Sequence, residues 1–192
     1  MLPQKNASPM QLISFLPITK QDENFAEMIR LMQTSFPSTE HSSFKNSAAS
    51  LQEEAFHPTL ILRDQQIIGF LNAWYFDSFI YIEHYAIKPA LQGQQIGTKA
   101  LATFMKKHTL PIVLEVERPT CTEPNNEIRI RRIRFYERLH FKLHDEINYI
   151  QPPYQTGYPE IPLYLMVYAP DQKELPFETY IQTLRKRVYH TI

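Results

Sequence analysis

Cysteine is almost missing from the chain. Cys121 is the one cysteine among 192 residues, so an intrachain disulfide cannot form and a cysteine-based zinc cluster is excluded. Glycine is scarce too: 4 are present beside 15 prolines, where average usage would give about 13. Neither sign of charge is in excess. The 20 basic side chains are matched by 20 acidic ones, so no whole-molecule field draws the chain to nucleic acid or to a lipid surface. No uncharged apolar run approaches the roughly 18 residues that span a bilayer. The segment Met1 to Phe15 lacks the positive cluster and apolar stretch of a secretory signal. These absences lead us to expect a soluble, cytoplasmic protein with no membrane partner. What is present suffices for a core: 43% of residues are hydrophobic and 21% are charged, which argues against intrinsic disorder.

Hydrophobic periodicity predicts alternating strands and helices, without repeats or long linkers. Gln11 to Leu16 reads as a strand. Phe25, Met28, Ile29, Met32 and Phe36 place a helix over residues 21 to 35, and a weaker helix follows from Ser47 to Ala55. Thr59 to Leu62, Ile67 to Phe76 and Phe79 to Ile87 are β-branched and aromatic runs separated by short polar turns, which predicts three antiparallel strands. Ile96, Ala100, Leu101, Phe104 and Met105 mark another helix. Ile112 to Val116 is a short buried strand, Glu127 to Leu139 a helix, and Phe141 onward a strand broken at Pro152-Pro153. A last strand, Pro162 to Tyr168, precedes a C-terminal helix carrying Phe177, Tyr180, Ile181, Leu184 and Val188. The fold class is therefore α/β, or α+β with a mixed sheet. The unit from Tyr81 to Val116 implies a right-handed crossover and local parallel pairing.

The sharpest local feature is Ile87-Lys88-Pro89-Ala90-Leu91-Gln92-Gly93-Gln94-Gln95-Ile96-Gly97-Thr98. A strand ends at a proline, and a turn holding two of the four glycines opens a helix. Amides at a helix N-terminus lack partners and carry partial positive charge, so such a turn suits phosphate. A strand-to-helix turn without a ligand has the same spacing.

This segment resembles motif A of the GNAT superfamily of N-acetyltransferases. The pattern maps to Gln92, to Gln95 where the first glycine is usual, and to Gly97. A second stretch, Phe135-Tyr136-Glu137-Arg138-Leu139-His140-Phe141, is similar to the family's later motif, with His140 where glycine is usual. The resemblance covers roughly Gln11 to Tyr168. It implies a domain over residues 1–170 with splayed central strands and helices on both faces, and a helical appendage over residues 171–192.

The resemblance also implies roles. Acetyl-CoA, as co-substrate, would lie between the strands ending near Ile87 and Val116. Backbone groups of Tyr85, Ala86 and Ile87 would pair with the pantetheine. Amides of Gln92, Gly93, Gln94, Gln95, Ile96, Gly97 and Thr98 would hold the pyrophosphate. Glu83 is the expected base for the attacking amine, with Glu115 or a water as rivals, and Tyr136 is expected to assist the leaving sulfur. The arginines of the later helix (Arg129, Arg131, Arg132, Arg134 and Arg138) form a solvated face from which one or two reach the phosphates.

The expected activity is transfer of an acetyl group to a primary amine by direct attack. The alternative is a non-catalytic module of the same fold that binds acyl-CoA or a protein. The expected partner is a small-molecule or peptide amine, with a homodimer as an option. No nucleic acid is expected, and no metal, since the seven histidines show no ligand spacing.

Overall fold

The computed structural model describes residues 12–19, 22–36, 50–121, 124–154 and 157–191. Seven strands form one mixed sheet among these residues: β1 (Ile13–Pro17), β2 (Phe56–Arg63), β3 (Gln66–Tyr75), β4 (Ile80–Ile87), β5 (Ile112–Glu117), β6 (Lys142–Gln151) and β7 (Ile161–Tyr168). Four α-helices accompany them: α1 (Phe25–Ser35), α2 (Ile96–Met105), α3 (Asn126–Glu137) and α4 (Phe177–Arg187). The strand order is β1-β2-β3-β4-β5-β7-β6. Strands β1 to β4 form an antiparallel meander, β4 and β5 run parallel, and β7 inserts between β5 and β6. The expected mixed sheet and the parallel crossover through α2 are both found.

Alternation along the strands sorts the core into two faces. Ile112, Leu114 and Val116 pack with Ile96, Leu101, Phe104, Ile133 and Tyr136, which places α2 and α3 on one face. Val113 on the other side packs with Tyr180, Leu184 and Val188 of the α4 segment, and Leu60 and Phe70 pack against Met28 and Met32 of α1. The C-terminal helix therefore contributes buried side chains to the same sheet.

Two sequence expectations change. The helix placed from Ser47 to Ala55 begins outside the described residues. Ser50, the first described residue there, is helical, and from Leu51 the chain makes turns, closed by Glu53 N–H to the Ser50 carbonyl and Phe56 N–H to the Glu53 carbonyl. Strand β2 also starts before Pro58, which periodicity had treated as a breaker. The proline needs only its carbonyl there, which accepts from Ile18 N–H at 2.9 Å, so its missing donor leaves that bond intact. The turn between β2 and β3 puts Asp64 at φ 51° and Gln65 at φ 65°, the left-handed pair that a two-residue hairpin requires.

Candidate active site

The site is made by the parting of β4 and β5. Their pairing covers three register pairs, the last being Ile82 with Leu114. A bulge sets in at this point on the other side of β4: Asn72 pairs with His84 and Ala73 with Ile82, so Glu83 has no partner on β3. The extra residue increases twist and bends the strand. Beyond it a cavity of about 990 Å³ opens between the two strands, lined by α2, α3 and the end of α1. Ten expected residues meet there: Glu83, Tyr85, Ala86, Ile87, Gln92, Gly93, Gln95, Gly97, Thr98 and Tyr136. Gln94 and Ile96 send their side chains elsewhere. Gln94 donates to the Ala90 carbonyl at 3.4 Å, and Ile96 is in the core.

The backbone along β4 is ready for a partner. Lys88 N–H donates to the Ile68 carbonyl at 2.8 Å, which sets the phase of the β3–β4 ladder. By alternation Ala86 turns its groups to Phe70, while Tyr85 and Ile87 turn theirs to the gap. The Ile87 carbonyl accepts from the Gln92 side chain at 3.0 Å, so Gln92 closes the turn with its side chain.

That turn leads into the first turn of α2. The first helical bond there is Lys99 N–H to the Gln95 carbonyl, at 3.1 Å. Among the described residues, the amides from Gly93 to Thr98 donate to nothing within the protein, and no side chain caps the helix. Six N–H groups at a helix N-terminus, beside an open cavity, fit the pyrophosphate of coenzyme A. Gly93 sits at φ 79° with nothing within 4 Å of where a Cβ would be. At Gly97 a Cβ would sit in ordinary contact with Ile87 Cγ1 and the Tyr85 hydroxyl, each at 3.5 Å, and Phe135 at 3.8 Å. Tyr85 fixes this turn by donating to the Gly97 carbonyl at 2.6 Å.

Both replaced glycines keep the backbone a glycine would have. Gln95 stands at φ 60° and His140 at φ 66°, each bearing the modest penalty of a left-handed non-glycine residue. At His140 the helix still closes in the usual double bond: His140 N–H to the Glu137 carbonyl and Phe141 N–H to the Tyr136 carbonyl.

Glu83 and Glu115 are the next residues after the last paired positions of β4 and β5, and both line the cavity. Glu83 accepts from the Trp74 indole N–H at 2.7 Å and its side chain is 7% exposed. Trp74 is core, yet it also aims this carboxylate. Glu115 receives three tyrosine hydroxyls: Tyr149 on Oε1, and Tyr81 at 2.8 Å and Tyr189 at 2.7 Å on Oε2. Burial pushes its carboxyl up to about 7; the three hydrogen bonds pull it down and the neighbouring Glu83 charge adds to the rise. The sequence named Glu115, but nothing in its spacing pointed to the tyrosines.

Tyr136 is buried on α3, facing the cavity, and burial raises its phenol above the ordinary value, with the Arg132 charge opposing. The arginine helix divides. Arg129 and Arg132 grip Glu117 at 2.9 and 2.8 Å; Arg132 also lines the cavity, as do exposed Arg131 and Arg138. Cys121 is exposed. Among the described residues there is no cluster of metal-ligating side chains, and no helix is long and apolar enough to cross a membrane.

Residues 25–141 match the model of the acetyltransferase (GNAT) family. The chain is 33% identical over 114 residues to YjbC of Bacillus subtilis (strain 168), a protein provisionally named an acetyltransferase; the match covers 59% of this chain and spans 56% of that protein's length. A solved structure from Bacteroides thetaiotaomicron, provisionally assigned as a GNAT-family acetyltransferase, is 36% identical with a TM-score of 0.83, covering 93% of this chain and 99% of that one. An acetyltransferase of the same family from Elizabethkingia anophelis, solved with acetyl-CoA bound, shares the fold at 17% identity and a TM-score of 0.54, covering 82% of this chain and 97% of that one. With a family model matched from α1 to the start of β6 and the sheet opening where a coenzyme would enter, the chain belongs to the acetyltransferase (GNAT) family.

Proposed function

We propose that the protein moves an acetyl group from acetyl-CoA to a primary amine by direct attack. One observation carries this reading: the unpartnered amides of Gly93 to Thr98 and the carboxylates of Glu83 and Glu115 open on the same cavity, where β4 and β5 part. Bound acetyl-CoA supplies an activated acetyl thioester and a sulfur leaving group. The chain's own residues supply the rest. The α2 turn and Arg131 hold the phosphates, and the free edge at Tyr85 and Ile87 aligns the pantetheine as an added strand would. An alkylammonium with a pKa near 10 must lose a proton before it attacks. Glu83, aimed by Trp74, takes that proton directly or through a water. The Tyr136 hydroxyl holds its proton toward the leaving sulfur.

The test is thiol release from acetyl-CoA against a panel of small-molecule and peptide amines. Turnover with at least one amine is expected. Glu83→Gln should lower kcat by about 100-fold and leave acetyl-CoA affinity within a factor of about two. Tyr136→Phe should lower kcat more than affinity. Binding of acetyl-CoA without turnover on any amine would leave only a binding module of this fold.

A further inference from the structure

Glu115 is held from three parts of the chain. Tyr81 comes from β4, Tyr149 from β6, and Tyr189 from the segment just after α4. The Tyr189 contact joins positions 74 residues apart in sequence. Its hydroxyl is oriented rather than free to rotate. Gln151 Nε2 donates to it at 2.7 Å, and an amide nitrogen has no lone pair to offer, so the phenol proton goes to Glu115 Oε2 at 2.7 Å or is shared with the Tyr81 hydroxyl at 3.0 Å, which itself donates to Glu115. The ring is buried at 7% exposure, and the backbone beneath it is pinned by Tyr189 N–H to the Leu184 carbonyl at 3.1 Å and Thr191 N–H to the Arg185 carbonyl at 2.8 Å.

The geometry points to Tyr189 as a positioning residue of the acceptor site: it fixes the Glu115 carboxylate beside Glu83, so the segment after α4 completes the active site. This rests on the transfer reading and deepens it. The three hydroxyls pull the carboxyl down against the burial that raises it, so that it carries charge above about pH 7 in a place where an isolated one would stay protonated still higher. Beside the base, that charge stabilises an incoming ammonium and then favours handing its proton to Glu83. Its effect must therefore appear on the acid side of the pH profile. The groups that bear on Glu115 are Tyr81 and Glu83 from β4, Tyr149 from β6, Tyr154 from the loop after β6, and Tyr189 from the segment after α4, while Arg185 of α4 bears on Tyr149. Among the tyrosines that donate to Glu115, Tyr189 alone lies outside the sheet, so its oxygen can be removed without touching a strand.

The experiment compares wild type, Tyr189→Phe and Val188→Ala. Val188 packs in the same core cluster but carries no polar group. The acid limb of kcat/KM should move up by about one pH unit in Tyr189→Phe, while Val188→Ala lowers the melting temperature and leaves the limb in place. The titration of Glu115, followed by ¹³C carboxyl NMR without substrate and identified by its loss in Glu115→Gln, should rise with it. An unmoved Glu115 titration, or a moved titration with an unmoved limb, overturns the inference. Should the wild type acetylate no amine, the transfer reading fails, and the titration alone decides whether Tyr189 governs Glu115.

Discussion

The burial that brings Glu115 into the working range of a base also sets it against the fold. Its carboxyl lies at about 7 in the folded protein and at 4.5 when unperturbed. Between those values the folded chain binds a proton that the unfolded chain has released. The group's contribution to stability is therefore complete below about pH 4.5 and lost as pH rises through 7, roughly 3 kcal/mol in all. Glutamine has no such titration. The melting temperature of Glu115→Gln, relative to wild type, should climb between pH 5 and pH 8; a difference that stays constant would show that Glu115 does not titrate there. At this scale the sequence was informative wherever chemistry follows the local pattern. Gly97, Tyr136 and Glu83 were legible because a helix start, a helix end and a strand end place them. Tyr189 was not, because its meaning comes from a contact across 74 residues, and no periodicity encodes that. The same holds for Trp74, whose indole reaches the bulged Glu83.

Among the elements, α3 distributes its charge unevenly. Arg129 and Arg132 share Glu117 and tie the helix to β5. Arg131 and Arg138 line the cavity. The double variant Arg131→Ala/Arg138→Ala should weaken acetyl-CoA binding several-fold at low salt, and the loss should shrink at about 0.5 M salt, where screening is strong. Equal losses at both salts would mean packing, not attraction. Arg132→Ala, which breaks a Glu117 pair at the cavity wall, should in addition lower the melting temperature. The sequence located this helix well, because Ile133 and Tyr136 mark its buried side, and the structure runs it over Asn126–Glu137. It could not separate its arginines, since that division depends on Glu117, 12 and 15 residues earlier. The bulge in β4 is implied by the family resemblance but not by alternation, since an unpaired residue is a property of two strands. The helix expected before β2 was placed too far along the chain: Ser50 is helical, but turns take over from Leu51.

For the molecule as a whole, a balance of 20 basic and 20 acidic groups conceals a cavity lined by the arginines of α3 and the start of α2. Acetyl-CoA should raise the melting temperature, and Gly97→Arg should erase that shift, because it sets a long side chain on the cavity wall at the first turn of α2. A shift that survives in Gly97→Arg would place the coenzyme elsewhere. A labelled duplex should show no binding at moderate salt.

The strand order has a further consequence, for the chain as it leaves the ribosome. Strands β1 to β4 pair with neighbours in sequence and can assemble as they emerge. Strand β5 cannot finish: its second neighbour is β7, with β6 lying beyond. Until Ile161–Tyr168 has been synthesised, β5 presents an unpaired apolar edge, Ile112 to Leu114, to the cellular milieu. The half-built protein is thus most exposed to aggregation and to chaperone capture after β5 and before β7, and a translational pause in that interval would lengthen the danger.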